Sequence, residues 1–422
     1  MATKNIADIN VAGKKVLMRV DFNVPIKGGK VTNDRRIVQA LPSIKRALEQ
    51  GAKLILMSHL GRPAGKGYEE EFSAKPAAVR LGELLGKTVQ VGPQSVVGPE
   101  LDAQVAAMKD GDVLLLENLR FSAGETMPDK AKKNEDKKLT AEQQKVHDDF
   151  VEAIAKNGEA YVNDAFGTCH RKHASMYGVA KAIQAKGGPA VAGFLVEKEI
   201  KYLSEALNEP KRPFVAVLGG AKVSDKIKLI SQLLPKVDRI IIGGAMAYTL
   251  LKAKGVEVGK SRVEEDQVEE MKGLLEKAGD KILLPCDHLA VANFDFKALT
   301  GDAPTVTPGT DIPAGMMGMD IGPKSVEAFC KEVKGAKTVV WNGPMGVFEA
   351  PDFANGTKSV ATALAIATDG GAISVIGGGD SATAVEEMGL DTRMTHVSTG
   401  GGASLEYLEG KPMPPIEVLD TK

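Results

Sequence analysis

Near-continuous runs of Val, Ile and Leu, each closing on a polar or glycine-rich tail, constrain this chain more than any other feature. In the first half they read KKVLMRVDF, AKLILMSHL, DVLLLENL and EAYVNDAF. After position 210 they read PFVAVLGG, DRIIIGGA, KILLPCDHLAV, KTVVWNGP, GAISVIGGG and THVSTGGG. A strand with one wet face alternates polar and apolar residues, whereas a strand covered on both faces is apolar throughout. Parallel strands also need crossovers long enough to hold a helix. RRIVQALPSIKRALEQG and KPAAVRLGELLG supply such helical patterns, and each ends at a glycine. Two series of this kind predict an α/β protein of two doubly wound parallel-sheet domains. A length of 422 residues fits two cores better than one.

The break is expected at Gly187-Gly188-Pro189, giving domains 1–187 and 188–404. Apolar spacing through Leu195, Ile200, Leu203 and Leu207 predicts a helix at the start of the second domain, either a hinge or a plain spacer. The tail, 405–422, ends in KPMPPIEVLDTK and is too short for a domain, so it is expected to pack back on the first. The charged stretch ETMPDKAKKNEDKKL reads as a solvated loop, and Thr140 to Gln143 as a capping box opening the next helix.

Composition narrows the function. A net charge of −1 argues against nucleic acid or an anionic membrane as partner. Three scattered cysteines make neither a zinc pattern nor a disulfide framework, as in a reducing compartment. No apolar run approaches the ~18 residues of a membrane span. The expectation is a cytoplasmic protein.

The chemistry is expected at the carboxyl ends of the strands, where open parallel sheets bind ligands. Eight of the twelve arginines lie before position 187. Guanidinium offers paired donors to carboxylate or phosphate oxygens. Four strand ends carry Asp21, Asn23, His59, Arg62, Arg120 and Arg171, and with Arg36 these could enclose a small polyanion. Any one of them alone would be an ordinary turn with an exposed arginine. In the second half, Lys222 and Lys226 stand four apart, on one face, at a glycine-bearing turn into a helix, where like charge opposes the helix dipole unless a phosphate binds. Asp380 opens another helix after three glycines and could be its N-cap or a metal ligand. Gly400, Gly401 and Gly402 precede a third helix start with no obstructing side chain.

No phosphate-binding G-x-x-x-x-G-K-[ST] motif is present. Residues 377–382 match G-x-G-x-x-A, but the next strand ends without the acidic residue of a dinucleotide site. An NAD-dependent dehydrogenase is therefore the alternative enzyme, and a non-catalytic metabolite binder a third reading.

Eight segments together resemble one family. RVDFNVP at 19–25, MSHLGRP at 57–63, ENLRF at 117–121 and NDAFGTCHR at 163–171 are similar to the first half of phosphoglycerate kinases. LGGAKVSDK at 218–226, WNGPMGVFE at 341–349, GGGDSA at 377–382 and THVSTGGGASLE at 395–406 are similar to the second. The resemblance implies 3-phosphoglycerate or 1,3-bisphosphoglycerate held by Asp21, Asn23, Arg36, His59, Arg62, Arg120 and Arg171. It implies ADP or ATP held by Gly220, Lys222, Lys226, Gly244, Gly318, Asn342, Glu349, Gly378, Gly379, Asp380 and Ser381, with Mg²⁺ bound through the nucleotide at Asp380. Arg36 and Lys222 would carry catalysis, and Gly400 to Gly402 would stabilise anionic oxygens. A monomer acting in glycolysis is implied. Met316, where many members have tryptophan, and Cys169, where many have alanine, are departures that remove no needed charge.

Overall fold

A strand run becomes a sheet when the segments between strands carry one apolar stripe each, and this chain does so twice. The computed structural model describes residues 3–134 and 136–422. They divide into two units, Met1–Ile200 with Pro412–Lys422, and Lys201–Lys411.

The first unit holds strands β1 (Lys15–Val20), β2 (Lys53–Met57), β3 (Gln90–Val91), β4 (Val113–Leu115), β5 (Ala160–Asp164) and β6 (Ala190–Ala192), all parallel, in the order β3-β4-β2-β1-β5-β6. The strand order reverses direction at β1, between β2 and β5. Helix α1 (Arg35–Glu49) keeps its course through Pro42 because Ile37, Ala40, Ile44 and Ala47 bury a continuous stripe. Helix α2 (Lys75–Leu85) stops at Gly86, whose φ of +65° a side chain would resist. Helix α3 (Ala141–Ala155) opens with the expected capping box: Thr140 Oγ1 accepts from Gln143 N, and Gln143 Oε1 accepts from Thr140 N.

The second unit holds β7 (Phe214–Leu218), β8 (Arg239–Ile242), β9 (Ile282–Leu283), then β10 (His288–Val291), β11 (Thr305–Val306) and β12 (Met317–Ile321), and finally β13 (Thr338–Asn342), β14 (Ile373–Gly377) and β15 (His396–Val397). Its parallel sheet runs β9-β8-β7-β13-β14-β15, reversing between β7 and β13. The antiparallel trio β11-β10-β12 stands apart from it.

Four expectations need correction. The first unit does not end at 187, because β6 hydrogen-bonds to β5 and adds an edge to the first sheet. Helix α4 (Phe194–Asn208) forms as the spacing predicts, and the division between units falls inside it. The run KILLPCDHLAV is two strands, since Asp287 turns away to accept from Lys324 N and Ser325 N at the head of the helix Pro323–Gly335. Of the tail, only 412–422 joins the first unit, and 405–411 stays with the second. The charged stretch is likewise not a plain loop: Ala123–Thr126 and Met127–Lys133 are helical turns, and Glu125 and Met127 are buried.

Candidate functional site

In the first unit the predicted residues gather where β1, β2, β4 and β5 end. The loops are stitched together by polar residues of the motifs themselves. Ser58 Oγ accepts from Phe22 N at 2.9 Å, joining the β1 loop to the β2 loop. Asn118 joins the β2 and β4 loops: its Oδ1 accepts from Leu60 N and Arg120 N, and its Nδ2 donates to Leu60 O at 2.7 Å. Asn23 Oδ1 accepts from Gly61 N at 2.9 Å, so part of its side chain serves the loop. Arg120 Nη1 donates to Gly61 O at 2.7 Å.

Arg36 reaches this group from the start of α1, with Nη1 2.9 Å from Asp21 Oδ2 and 3.3 Å from Asn23 O. Arg62 is exposed, and Arg36, Arg120 and Arg171 are half-buried. His59 is buried, with Nδ1 3.9 Å from Asp21 Oδ1 and 3.0 Å from Arg19 Nη2. Burial, then the charges of Arg19 and Arg120, push its pKa well below the ordinary histidine value, so the ring is neutral. A neutral ring beside an arginine accepts at Nδ1 and keeps its proton on Nε2.

Several contributors escaped the sequence reading. Arg19, next to the end of β1, is fully buried; its Nε donates to Ser175 Oγ at 2.9 Å and its Nη1 to Val20 O. An arginine inside the apolar run KVLMRV was the available signal. His173 Nε2 lies 3.0 Å from Asp129 Oδ2, which also sits 3.4 Å from Arg171 Nη1. The hydrogen bond with His173 lowers the Asp129 pKa to about 2. Glu125 binds Ser175 and has no sequence signal, since it sits in a run of charges.

In the second unit the backbones of β7, β8 and β13 meet at their carboxyl ends. Gly244, at φ +66°, packs so tightly that a Cβ there would lie 2.5 Å from Gly220 N, and Gly343 packs equally closely on Gly219. These glycines let the chain approach itself, whereas Gly379, Gly401 and Gly402 face open space. Gly318 N donates to Ser261 Oγ, and its missing side chain makes room for the Tyr248 ring. Gly400 N donates to Ser398 Oγ at 3.0 Å.

Lys222 and Lys226 do not share a helix face. The segment 221–226 is a turn, and the helix Ile227–Leu233 begins after it. Lys222 is exposed. Lys226 Nζ donates to Asn342 O at 2.9 Å and to Asn342 Oδ1. Burial pulls the Lys226 pKa down to about 8, against the opposing pull of Asp380 and Asp225. Glu264 braces this turn by accepting from Ser224 Oγ at 2.6 Å and Ser224 N at 3.1 Å.

Asp380 is the second residue of helix α5 (Gly379–Glu387) and is exposed; Gly378 is the N-cap, so capping does not occupy the carboxylate. Ser381 is buried, and its Oγ accepts from Gly343 N at 2.6 Å, so its hydroxyl holds the turn after β13. Glu349 is exposed. Among the described residues no three His, Cys, Asp or Glu form a metal cage. A lone carboxylate suits Mg²⁺, which is commonly held by one or two carboxylates plus substrate phosphates. The G-x-G-x-x-A match follows β14, the fifth strand in this sheet's order, and not the first strand as in a dinucleotide site. The dehydrogenase alternative has no support here.

The model of a protein family described as phosphoglycerate kinase matches residues 6–411. A phosphoglycerate kinase of Lactobacillus delbrueckii subsp. lactis is 52% identical over 422 residues, 100% of both chains. That of Lactobacillus acidophilus is also 52% identical over the same span. Among solved structures, phosphoglycerate kinase from Coxiella burnetii aligns with a TM-score of 0.83 and 38% identity, covering 99% of this chain and 98% of that one. The enzyme from Pyrococcus horikoshii OT3 gives 0.80 and 33%, with the same coverage.

Proposed function

The chain belongs to the phosphoglycerate kinase family, and on that premise we propose that its two strand-end clusters divide the reactants between them. The reaction is phosphoryl transfer between 1,3-bisphosphoglycerate and ADP, giving 3-phosphoglycerate and ATP. In this reading the first unit holds the phosphoglycerate through Arg36, Arg62, Arg120 and Arg171, with Asp21, Asn23 and His59 fixing its orientation. The observation that carries it is the convergence of these cations with a neutral His59 at one end of the sheet.

The second unit holds the nucleotide. Lys226 and the exposed Lys222 meet its phosphates, the N–H groups of Gly378 and Gly379 and of Gly401 and Gly402 add donors with Gly400 shaping their turn, and Glu349 takes the ribose. Gly220, Gly244, Gly318 and Asn342 form the walls, and Ser381 contributes through the backbone. Asp380 would hold Mg²⁺ through the nucleotide; when bound, the ion neutralises charge on the phosphate oxygens.

The acceptor carboxylate has an ordinary pKa of ~4 and is ionised at pH 7, so no side chain needs to remove a proton. The protein positions the two oxygens in line and offsets charge on the transferring group. Arg36 and Lys222 are assigned that charge-stabilising role. Among the described residues no helix is long and apolar enough to cross a membrane, and from the family we assign a cytoplasmic monomer.

The test is ADP release from Mg-ATP with and without 3-phosphoglycerate, followed by Arg36→Ala. Turnover should require both substrates, and the substitution should lower kcat by about 10²-fold or more while leaving Mg-ADP affinity within about twofold. Equal loss of turnover and nucleotide affinity would remove Arg36 from this role.

A further inference from the structure

Among the described residues of the charged stretch, Glu125 is the one with no access to water: its side chain is 0% exposed. Both its oxygens are engaged by a single residue. Oε1 accepts from Ser175 Oγ at 2.7 Å and Oε2 from Ser175 N at 2.9 Å. Ser175 Oγ in turn accepts from Arg19 Nε at 2.9 Å, and Arg19 Nη2 reaches His59 Nδ1 at 3.0 Å. Tyr161 fixes the serine backbone by donating to Ser175 O at 2.8 Å. His173 Nδ1 lies 4.0 Å from Glu125 Oε1, and Arg120 also feels the Glu125 charge. A carboxyl group buried this completely either takes up a proton or is compensated by cations and hydrogen-bond donors, and a buried arginine likewise needs partners.

From this geometry we propose that Glu125 is a positioning residue for the phosphoglycerate end of the site, acting through Ser175 and Arg19 to fix the tautomer and orientation of His59. The inference rests on the assignment of that cluster to phosphoglycerate. Glu125 cannot touch the ligand, because both oxygens are spent on Ser175. Its charge anchors Arg19 from behind, and Arg19, donating to Nδ1, leaves the His59 proton on Nε2. Without that anchor Arg19 is one more cation beside Arg120, held only by neutral partners, Ser175 Oγ, Val20 O and His59 Nδ1. The cluster thus gains a fixed counter-charge that does not compete for the substrate.

The experiment compares wild type, Glu125→Gln and Ser175→Ala in three readouts: KM for 3-phosphoglycerate, Kd for Mg-ADP, and the His59 ring nitrogens by NMR. Glu125→Gln should raise KM about tenfold, the equivalent of one charge-assisted hydrogen bond, with nucleotide affinity unchanged. The His59 signals should move from one Nε2–H form to a tautomer mixture. Ser175→Ala removes the relay without altering the carboxylate and should give the same tautomer change, which keeps the test available if Glu125→Gln fails to fold. A folded variant with wild-type KM and a single tautomer would overturn the proposal. Wild-type His59 signals that ignore 3-phosphoglycerate altogether would overturn the cluster assignment beneath it, a distinct outcome visible before any substitution.

Discussion

Lys222 and Lys226 are indistinguishable as letters and differ sharply as groups. One is exposed; the other is pinned on Asn342, with its pKa pulled down to about 8 by burial. A phosphate can use a lysine only in its protonated form. As pH rises through about 8 the free protein loses the Lys226 charge, and nucleotide binding must then take up a proton. Mg-ADP affinity should therefore fall between pH 7 and pH 9, by at most about tenfold per unit above pH 8. Calorimetry at pH 7, 8 and 9 measures this, and Lys226→Met should weaken binding at pH 7 and flatten the profile. A flat wild-type profile would mean Lys226 does not meet the phosphates. The residue scale is also where the sequence was least explicit. The motif arginines were legible because four strand ends carried them at once. Ser381 reads only as a residue around the phosphates, and that its hydroxyl also braces the turn after β13 is visible only in the fold.

At the scale of elements, strand cores and capping signals were readable, and interruptions were not. The split of 281–291 follows from Asp287 capping a helix that starts 36 residues later, a partnership that no local pattern encodes. Asp320 is a similar case, buried at the β12 end and accepting from Gly356 N at 2.7 Å at the head of the helix Asn355–Asp369. Among the described residues no cation pairs with it, and burial raises its pKa to about 7 against the backbone hydrogen bonds from Gly356 and Ile321. Between about pH 4 and 7 the folded form keeps a proton that the unfolded chain has lost, so the stability from this group is full below that window and is lost as pH rises through it. Asp320→Asn should remove that slope, up to about 1.4 kcal/mol per pH unit, whatever its effect on absolute stability. The single tryptophan, Trp341, is buried in the same unit and reports the unfolding by fluorescence in urea at pH 5 and pH 8. An unchanged slope in the variant would assign the pH dependence to other groups, Asp164 first among them, since its pKa is likewise raised to about 7.

Across the whole chain, the doubly wound class follows from the apolar runs, but the bookends do not. Both termini belong to the first unit, with the second unit threaded between residues 200 and 412. Lys4 N donates to Asp420 O at 2.8 Å, Asp420 accepts from Ala190 N and Gln184 Nε2, and Pro415 O accepts from Asn163 Nδ2 near the end of β5. Met413 and Leu419 are buried there as well, each worth about 1.5–3 kcal/mol. The proline-rich tail thus completes the first sheet's edge at β6 and steadies the end of β5, the strand that leads into the Arg171 loop. Ending the chain at residue 411 should loosen the first unit and spare the second, because every one of these contacts lies in the first. Hydrogen exchange on the purified protein measures both at once: amides of β5 and β6 should lose protection by 10-fold or more, about one to two hydrogen bonds' worth of stability, while those of β7 and β13 keep theirs. Equal loss in both sheets would mean that the units do not unfold separately, and unchanged protection in β6 would mean that the edge stands without its strap.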